Sequence, residues 1–325
     1  MTNDIKSGKL LSVVIPVYGA PEIVPLLYRR LTEALDSWTD FELVMVDDAC
    51  PAGSGLELAK LAETDSRVKV VTLSTNRGQH IAISAGLDYA AGDYVAVMDC
   101  DLQDPPEELE TLYNHLAEGG YDAVFGVRAN RQDNWFKRFR ANCYHALFYR
   151  IAQQPVKTKR DHANFSIITR QLAEHFRLFR ERNRSYSELI KHLTCNIGFL
   201  DVRHAARHSG RSSYSLRKYV NVGVAYILGN SNRPLIISIY CAFIAFFIAL
   251  VLGLRVAFNY FAHGTTVPGW TSLAMIVCFF SGLQMLFLGI VGLYIGAIFN
   301  ESKKRPLYLV SKTQNLADEG EKKPD

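Results

Sequence analysis

The chain has 325 residues, of which 49% are hydrophobic and 21% charged, with a formal net charge of +4. This composition is that of a folded protein and excludes a disordered or collagen-like chain. The small net charge gives no support for nucleic-acid binding, so no nucleic-acid partner is expected. The six cysteines form no CxxC pair, and they therefore predict neither a zinc site nor a disulfide framework.

Strand-like and helical segments alternate along residues 11–128. The predicted strands are 11–17, 41–47, 68–73, 94–99 and 123–128, and the predicted helices between them are 23–37, 55–64, 80–90 and 106–118. Several of the strands are nearly continuous apolar runs, which is typical of a parallel sheet covered by helices on both faces. The pattern predicts an α/β domain that binds its ligands at the carboxyl ends of the strands.

Polar side chains gather where these strands are predicted to end. Tyr18 follows the first strand, Asp47 the second, and Asp99, Asp101 and Gln103 come at the end of the fourth. In an extended chain the last three lie on one side, and their oxygen ligands suit Mg²⁺ or Mn²⁺ with a bound phosphate. The alternative is structural, because acidic residues at strand ends also form turns and helix caps. The run DxDxQDPP after a buried strand favours the metal–diphosphate interpretation.

The C-terminal third is apolar. Residues 234–300 hold one charged side chain, Arg255, and the runs 234–254 and 270–299 are each long enough to cross a bilayer as a helix. The alternative is a pair of buried core helices. Arg233 precedes the first run and Lys303, Lys304 and Arg305 follow the second, so the positive-inside rule predicts both termini in the cytoplasm.

The chain is predicted to have four parts. Residues 1–213 form the α/β domain, 214–233 an amphipathic helix along the membrane surface, 234–300 two transmembrane helices with a short external loop, and 301–325 a basic cytoplasmic tail. An ordinary surface helix of the α/β domain is the alternative for 214–233.

Several segments together resemble the inverting glycosyltransferases of family 2, which have the GT-A fold. They are VVIPVYGAPE, ELVMVDDAC, LSTNRGQHIAISAGLDYAAGDYVAVMDCDLQDPPEEL and DAVFGVR. The segment GLYIGAIFNESKKRPLYLV, with the two apolar runs, narrows the resemblance to polyprenyl-phosphate glycosyltransferases, such as dolichol-phosphate mannose synthases and bacterial undecaprenyl-phosphate sugar transferases. GQH and RQDNWFKR are especially similar to the aminoarabinose transferases of lipid A modification. The resemblance covers residues 11–310 and implies a GT-A catalytic domain with a Rossmann-like, mostly parallel sheet.

The resemblance also implies a reaction. A metal-dependent enzyme would transfer a sugar from an NDP-sugar, expected to be a UDP-sugar, to polyprenyl phosphate, expected to be undecaprenyl phosphate. The implied setting is the inner membrane, in cell-envelope glycan or lipopolysaccharide modification, with a cytoplasmic catalytic domain and a homotetrameric assembly. Two alternatives stay open: a family 2 transferase acting on another lipid or glycan, and a non-catalytic nucleotide-sugar-binding membrane protein.

Roles for individual residues follow from the same resemblance. The implied nucleotide-sugar ligands are Pro16, Tyr18, Glu22, Asp47, Asp99, Arg207 and Ser212. The implied ligands of Mg²⁺ or Mn²⁺ are Asp101, Gln103 and Asp99. The implied acceptor-phosphate ligands are Arg128, Arg138 and Asn142, in a segment (128–160) with nine Lys and Arg against one acid. The residues expected to act in catalysis are Asp101, Arg128 and Asp161, the last of which would orient or deprotonate the acceptor.

Two segments depart from the family pattern. KRDHANFSIITR resembles D-x-G-D-F-R, but Ala163 stands in place of the Gly, Asn164 in place of the second Asp and Ser166 in place of the Arg. RHSGRSSYS resembles R-x-x-G-E-S-K-Y, but Arg211 stands in place of the acid and Ser213 in place of the Lys. These replacements leave the identity of the sugar more open than the type of reaction.

Overall fold

The computed structural model describes residues 8–19, 21–128, 162–182, 184–203, 231–263 and 269–316. The amphipathic helix predicted over 214–233 lies outside these ranges except for its last three residues. The predicted site residues that also lie outside them are Arg138, Asn142, Asp161, Arg207 and Ser212. The chain divides into two compact units, one of residues 1–133, 155–213 and 305–325 and the other of residues 134–154 and 214–304.

The first unit contains an eight-stranded sheet and its helices. Its strands are β1 (Leu10–Val17), β2 (Asp40–Asp47), β3 (Val68–Leu73), β4 (Tyr94–Val97), β5 (Ala123–Arg128), β6 (His162–Thr169), β7 (Ile197–Val202) and β8 (Val310–Gln314). Its helices are α1 (Val24–Leu35), α2 (Ser54–Thr64), α3 (Gln79–Tyr89), α4 (Leu109–Gly119), α5 (Arg170–Leu178) and α6 (Tyr186–Leu193), with a 3₁₀ turn at Pro106–Glu108.

The strand order is β7-β5-β6-β4-β1-β2-β3-β8. Strands β1 to β4 pair in parallel, β5 pairs in parallel with β7, and β6 and β8 run antiparallel to their neighbours. Sequential strands joined by helices produce this pattern, because each crossover returns the chain to the same end of the sheet. The predicted fold class, an α/β domain with a mostly parallel sheet, is confirmed.

Strand β1 shows why the sheet carries helices on both faces. Its residues from Leu11 onward are buried, and successive side chains enter different cores. Val13 and Ile15 pack in a core that includes residues of α1, α2 and α4, whereas Val14 packs in a second core with residues of α3, α5 and α6. An apolar strand buried on both faces requires this three-layer arrangement.

The C-terminal residues form a strand that the sequence did not predict. The sequence predicts a basic tail over 301–325, whereas Val310–Gln314 form β8, which pairs with β3 at the edge of the sheet. The Tyr308 hydroxyl donates to Asp88 at 2.6 Å, and the Asn315 side-chain amide donates to the Ala62 carbonyl at 2.6 Å. The tail is thus part of the first unit and covers the exposed edge of β3.

The second unit contains two long helices, α7 (Arg233–His263) and α8 (Trp270–Ser302). Segments of 20 and 24 residues in them are long and apolar enough to cross a membrane. Almost none of these segments is buried inside the protein, which disfavours the alternative of two soluble core helices. The Tyr294 hydroxyl donates to the Ser231 carbonyl at 2.6 Å, so the start of α7 lies beside the last part of α8, as in a helical hairpin.

Candidate active site

The carboxyl ends of four strands bring most of the described candidate residues to one edge of the sheet. Strands β1, β2, β4 and β5 end at Val17, Asp47, Val97 and Arg128 and point in the same direction. Strand β6 begins at this edge, because His162 pairs with Val127. The parallel core therefore gathers polar loops that are far apart in the sequence, as open α/β sheets do at their ligand sites.

The loop after β1 presents Tyr18 and Glu22 to solvent. Tyr18 is 52% exposed and Glu22 is exposed, whereas Pro16 is buried and pairs with Val46 of β2. Pro16 thus belongs to the sheet, and the accessible groups of this loop are the Tyr18 ring and the Glu22 carboxylate. Exposed aromatic rings can stack on a planar base.

Asp47 lies at the end of β2 and holds the turn that leads into α2. Its Oδ1 accepts from the Cys50 amide at 3.0 Å. Burial raises the pKa of Asp47, and the charge of Asp48 raises it further. Gly55 makes room for the carboxylate, since a Cβ there would lie 2.5 Å from the Asp47 Oδ2. Asp47 therefore has both a structural role in the turn and a desolvated charge at the site edge.

Asp48 pins the loop after β3 to the end of β2. It is 3% exposed, and its two oxygens accept from the Arg77 amide at 2.7 Å and the Gly78 amide at 2.8 Å. Gly78 has a φ of 88°, a left-handed conformation that favours glycine. Burial raises the pKa of Asp48, and the two amides oppose that shift. The N-terminus of α3 is thereby fixed at the site.

Cys50 joins the loops after β1 and β2. Its sulfur accepts from the Gly19 amide at 3.0 Å and lies 3.4 Å from the Ser54 hydroxyl. Burial favours the neutral thiol, but the Ser54 hydroxyl and neighbouring backbone amides outweigh it and lower the pKa of Cys50. The cysteine is thus a polar bridge between two loops of the site.

The acidic run after β4 turns instead of extending, which corrects the predicted alternation of Asp99, Asp101 and Gln103. Strand β4 ends at Val97, and the Gln103 amide donates to the Asp101 Oδ1 at 3.2 Å, closing a turn. Leu102 has a φ of 59° and is fully buried, so packing stabilises a backbone conformation that is unusual for leucine. The relation among the three side chains is therefore set by a turn.

Cys100 lies between the two acids of this run. Burial raises the pKa of the Cys100 thiol to about 11, although a backbone hydrogen bond with Tyr18 opposes the shift. This hydrogen bond ties the acidic turn to the loop after β1. The turn and the Tyr18 loop consequently form one wall of the site.

The residues after β4 carry oxygen donors of the kind that hard divalent cations prefer. Among the described residues, no group of three or more His, Cys, Asp or Glu side chains is placed to hold a metal ion. Two carboxylates and a side-chain amide remain in the turn, and oxygen donors of this kind suit Mg²⁺ or Mn²⁺. A cation with so few protein ligands needs further oxygens, which a diphosphate supplies.

Among the acceptor-side candidates, Arg128 is the last residue of β5 and its backbone pairs with Val202 of β7. It therefore lies at the same edge of the sheet as the acidic turn. Its predicted companions Arg138 and Asn142, and also Asp161, Arg207 and Ser212, lie outside the described residues. The structure brings the loops after β1, β2 and β4 together and locates the backbone of Arg128 at the same edge.

Three contributors to the site were not among the predicted site residues: Asp48, Cys50 and Gln79. The Gln79 side-chain amide donates to Asp99 Oδ1, although the two residues are 20 positions apart. The sequence offered a signal for Gln79, because the GQH motif lies between a predicted strand and a predicted helix. It offered none for the Cys50 bridge, which depends on contacts between loops.

Comparison with known proteins shows that the chain is similar to glycosyltransferases. The family model described as glycosyl transferase family 2 matches residues 12–183. An uncharacterized glycosyltransferase of Bacillus subtilis is 32% identical over 316 residues, covering 94% of each chain. The undecaprenyl-phosphate 4-deoxy-4-formamido-L-arabinose transferase of Yersinia pestis is 33% identical over 317 residues, covering 94% of this chain and 93% of its own.

Among solved structures, glucosyl-3-phosphoglycerate synthase from Mycobacterium tuberculosis, in complex with Mn²⁺, UDP and glucosyl-3-phosphoglycerate, is similar with a TM-score of 0.49 and 15% identity. The match covers 70% of this chain and 81% of that one.

Proposed function

The chain belongs to glycosyl transferase family 2, and we propose that it transfers a sugar, with inversion, from an NDP-sugar to polyprenyl phosphate. UDP is the expected nucleotide and undecaprenyl phosphate the expected acceptor. The observation that carries the proposal is the identity of 33% with a Yersinia undecaprenyl-phosphate sugar transferase, which extends over 94% of this chain and includes both apolar helices. The products are polyprenyl-phosphate-sugar and NDP, for cell-envelope glycan or lipopolysaccharide modification.

The reaction is a single displacement at the anomeric carbon. An oxygen of the acceptor phosphate forms the new bond on one face of the sugar, while the bond to the diphosphate oxygen breaks on the opposite face and its electron pair leaves with NDP. The acceptor phosphate is already ionised near pH 7, so little base catalysis is needed. We assign Asp161 to orienting the acceptor or taking its remaining proton.

The donor side of the site is assigned to the loops after β1, β2 and β4. We propose that Tyr18, Glu22 and Asp47 receive the base and ribose, with Pro16 shaping the first loop. The exposure of Tyr18 and the desolvated charge of Asp47 support this, because a base needs a planar surface and a ribose hydroxyl needs an acceptor. Arg207 and Ser212 are proposed to reach the diphosphate.

The acidic turn is proposed to hold the cation. Asp101, Gln103 and Asp99 would bind Mg²⁺ or Mn²⁺, which would neutralise the charge that develops on the departing diphosphate. The turn geometry of Asp101 supports this, since the Gln103 amide fixes the carboxylate. The role of the protein is therefore to hold its oxygen ligands in place before the donor binds.

The acceptor side is assigned to the basic segment that follows β5. Arg128, Arg138 and Asn142 would bind the lipid phosphate and offset its repulsion from the anionic donor. We propose that α7 and α8 cross the inner membrane as a hairpin, with the first unit and both termini in the cytoplasm. The chain is expected to assemble as a homotetramer.

The proposal is tested with membranes that contain the full-length protein. They are incubated with undecaprenyl phosphate and a panel of UDP-sugars and other NDP-sugars, and the lipid products are identified by mass spectrometry. Membranes with Asp101→Asn protein serve as the control. A sugar-dependent mass increase of the prenyl phosphate is expected only with the unaltered protein. Transfer of the sugar to a different lipid or glycan, with release of NDP, would replace polyprenyl phosphate as the acceptor. Binding of NDP-sugar without release of NDP would favour a non-catalytic role.

A further inference from the structure

We propose that Gln79 is a positioning residue for Asp99, whose carboxylate it orients for the cation and the donor through a hydrogen bond from an uncharged amide. This inference rests on the proposed function of the acidic turn. It concerns the GQH motif, whose side chains the proposed reaction does not otherwise use.

Helix α3 begins beyond the carboxyl ends of the strands. Helix α3 packs on the sheet through Ile83 and Leu87, which share a core with Val14 of β1 and Val44 of β2. Its first residue, Gln79, follows β3 and thus lies beyond the carboxyl ends of the strands. The crossover therefore delivers one side chain of α3 to the turn after β4.

The backbone just before Gln79 is held by contacts that do not involve the Gln79 side chain. The Arg77 and Gly78 amides both donate to the buried carboxylate of Asp48. Because the preceding backbone is held at the end of β2, the Gln79 side chain starts from a defined position. A preorganised donor loses less conformational entropy when it makes its hydrogen bond.

The contact between Gln79 and Asp99 joins an uncharged donor to a carboxylate. Gln79 Nε2 donates to Asp99 Oδ1. A lysine or arginine there would also neutralise the carboxylate and compete with a cation, whereas an amide donates without adding charge. Groups that orient a metal-binding carboxylate through a hydrogen bond are a general means of tuning affinity for the metal.

The hydrogen bond between Gln79 and Asp99 is poorly suited to stabilising the fold. Gln79 is exposed, and a hydrogen bond in contact with water contributes little net stability. Its removal should consequently change the site and leave the melting temperature unchanged. This split separates a positioning role from a structural one.

The test uses full-length protein in detergent micelles, with Mn²⁺ and UDP as the probes. Mn²⁺ binding in the presence of UDP is followed by the electron paramagnetic resonance signal of the free ion. Gln79→Leu removes the donor, and Gln79→Asn keeps the amide but shortens its reach. Both should weaken Mn²⁺ binding about tenfold or more, with melting temperatures within about 2 °C of the unaltered protein. Turnover should recover at high Mn²⁺ concentration.

The matched control is Thr75→Ala in the same loop. Thr75 is exposed, and its side chain makes no hydrogen bond among the described contacts, so this variant should bind Mn²⁺ normally. Unchanged Mn²⁺ binding in both Gln79 variants would overturn the positioning role while leaving the proposed function intact. A large fall in melting temperature without recovery at high Mn²⁺ would assign Gln79 to the fold. Failure of the unaltered protein to bind Mn²⁺ with UDP would instead overturn the metal site itself, and the inference with it.

Discussion

The two ends of the sheet in the first unit both hold buried carboxylates, but the surroundings of the two charges differ. At the amino end, Glu42 is 3% exposed, and its oxygens accept from the Ser12 hydroxyl, the Ala91 amide and the Lys69 ammonium. At the carboxyl end, Asp47 accepts from a backbone amide, and burial raises its pKa. Glu42, which is paired with a lysine, is expected to serve the fold, whereas the desolvated Asp47 is proposed to receive a ligand.

The difference between the two ends of the sheet predicts where substitutions should change stability and where they should change function. The amino end closes a network that includes Gly92, whose amide donates to the Ser12 hydroxyl at 2.8 Å. The carboxyl end is built from turns that carry the side chains proposed to bind the donor. Substitutions at the two ends should therefore have opposite signatures, and five experiments test this.

The largest effect is expected at Asp101. Asp101→Asn removes one hard anionic ligand from a site with few protein ligands, so turnover should fall more than about a hundredfold. The melting temperature should not change, because the asparagine can still accept from the Gln103 amide. NDP release is measured with and without EDTA, and Mg²⁺ or Mn²⁺ should restore the chelated unaltered enzyme. Full activity of the variant in excess chelator would disprove the metal assignment.

The opposite signature is expected at Glu42. Glu42→Leu leaves the Lys69 ammonium and the Ala91 amide without their acceptor, so unfolding should become easier by about 2–3 kcal/mol. Thermal melts of the full-length protein should shift down by several degrees, while the folded fraction should bind UDP as before.

A matched control for Glu42 is Glu57→Gln, since Glu57 pairs with the exposed Lys60 at 2.7 Å. Exposed ion pairs contribute little, so its melting temperature should not move. If Glu42→Leu weakened UDP affinity without lowering the melting temperature, the assignment of the amino end to stability would be wrong.

The acceptor side should respond differently from the donor side. A charge-assisted phosphate contact is worth roughly 1.5–3 kcal/mol, so Arg128→Ala and Arg138→Ala should each lower kcat/KM for polyprenyl phosphate about ten- to a hundredfold. NDP affinity should be nearly unchanged in both, whereas Arg207→Ala should weaken it. Calorimetric NDP titrations and initial rates against acceptor separate these cases. If Arg128→Ala lost NDP binding but kept a normal dependence on acceptor concentration, Arg128 would belong to the donor site and the assignment of the two sides would be wrong.

The parts of the fold that the sequence predicted are those with local signals. Strands β1 to β5 are apolar runs between helical patterns, and their predicted bounds differ from the observed ones by two residues or fewer. Strand β8 has no such signal, because VSKTQ is polar and becomes a strand only by pairing with β3. A protein that ended at Arg233 would lose this strand and leave the β3 edge unpaired.

The site shows the same division between local and distant contacts. The DxDxQDPP run identified the acidic turn, since its composition alone indicates oxygen ligands. Its shape was not predictable, because the positive φ of Leu102 follows from burial of that side chain. The contacts from Gln79 to Asp99 and from Gly19 to Cys50 join separate loops, and they depend on the order of strands in the sheet.

A smaller effect, of mixed sign, is expected at Asp47. Its folded pKa lies above the ordinary value of 3.8, so the stability that it contributes is present below pH 3.8 and lost as pH rises through the folded pKa. At pH 7 the charged form is therefore a cost, and Asp47→Asn should melt no lower than the unaltered protein. UDP affinity should fall about tenfold, since a charged acceptor is lost. A lower melting temperature with normal UDP binding would make Asp47 a purely structural residue.

The smallest effect concerns His80, which follows Gln79 but faces the protein interior. Its Nδ1 accepts from the Tyr186 amide at 3.3 Å, and burial lowers the pKa of His80, with the charge of Arg184 adding to the shift. The unfolded chain then takes up a proton near pH 6.5 before the folded protein does, so stability falls as the pH drops below that value. The loss should be no steeper than about 1.4 kcal/mol per pH unit, the limit set by the uptake of one proton. His80→Asn can still accept a hydrogen bond through an uncharged group, so its melting temperature should vary less between pH 7 and pH 5.5 than that of the unaltered protein. Equal pH dependence in the two proteins would show that His80 has the same pKa in the folded and unfolded states. His80 would then make no contribution to the loss of stability at low pH.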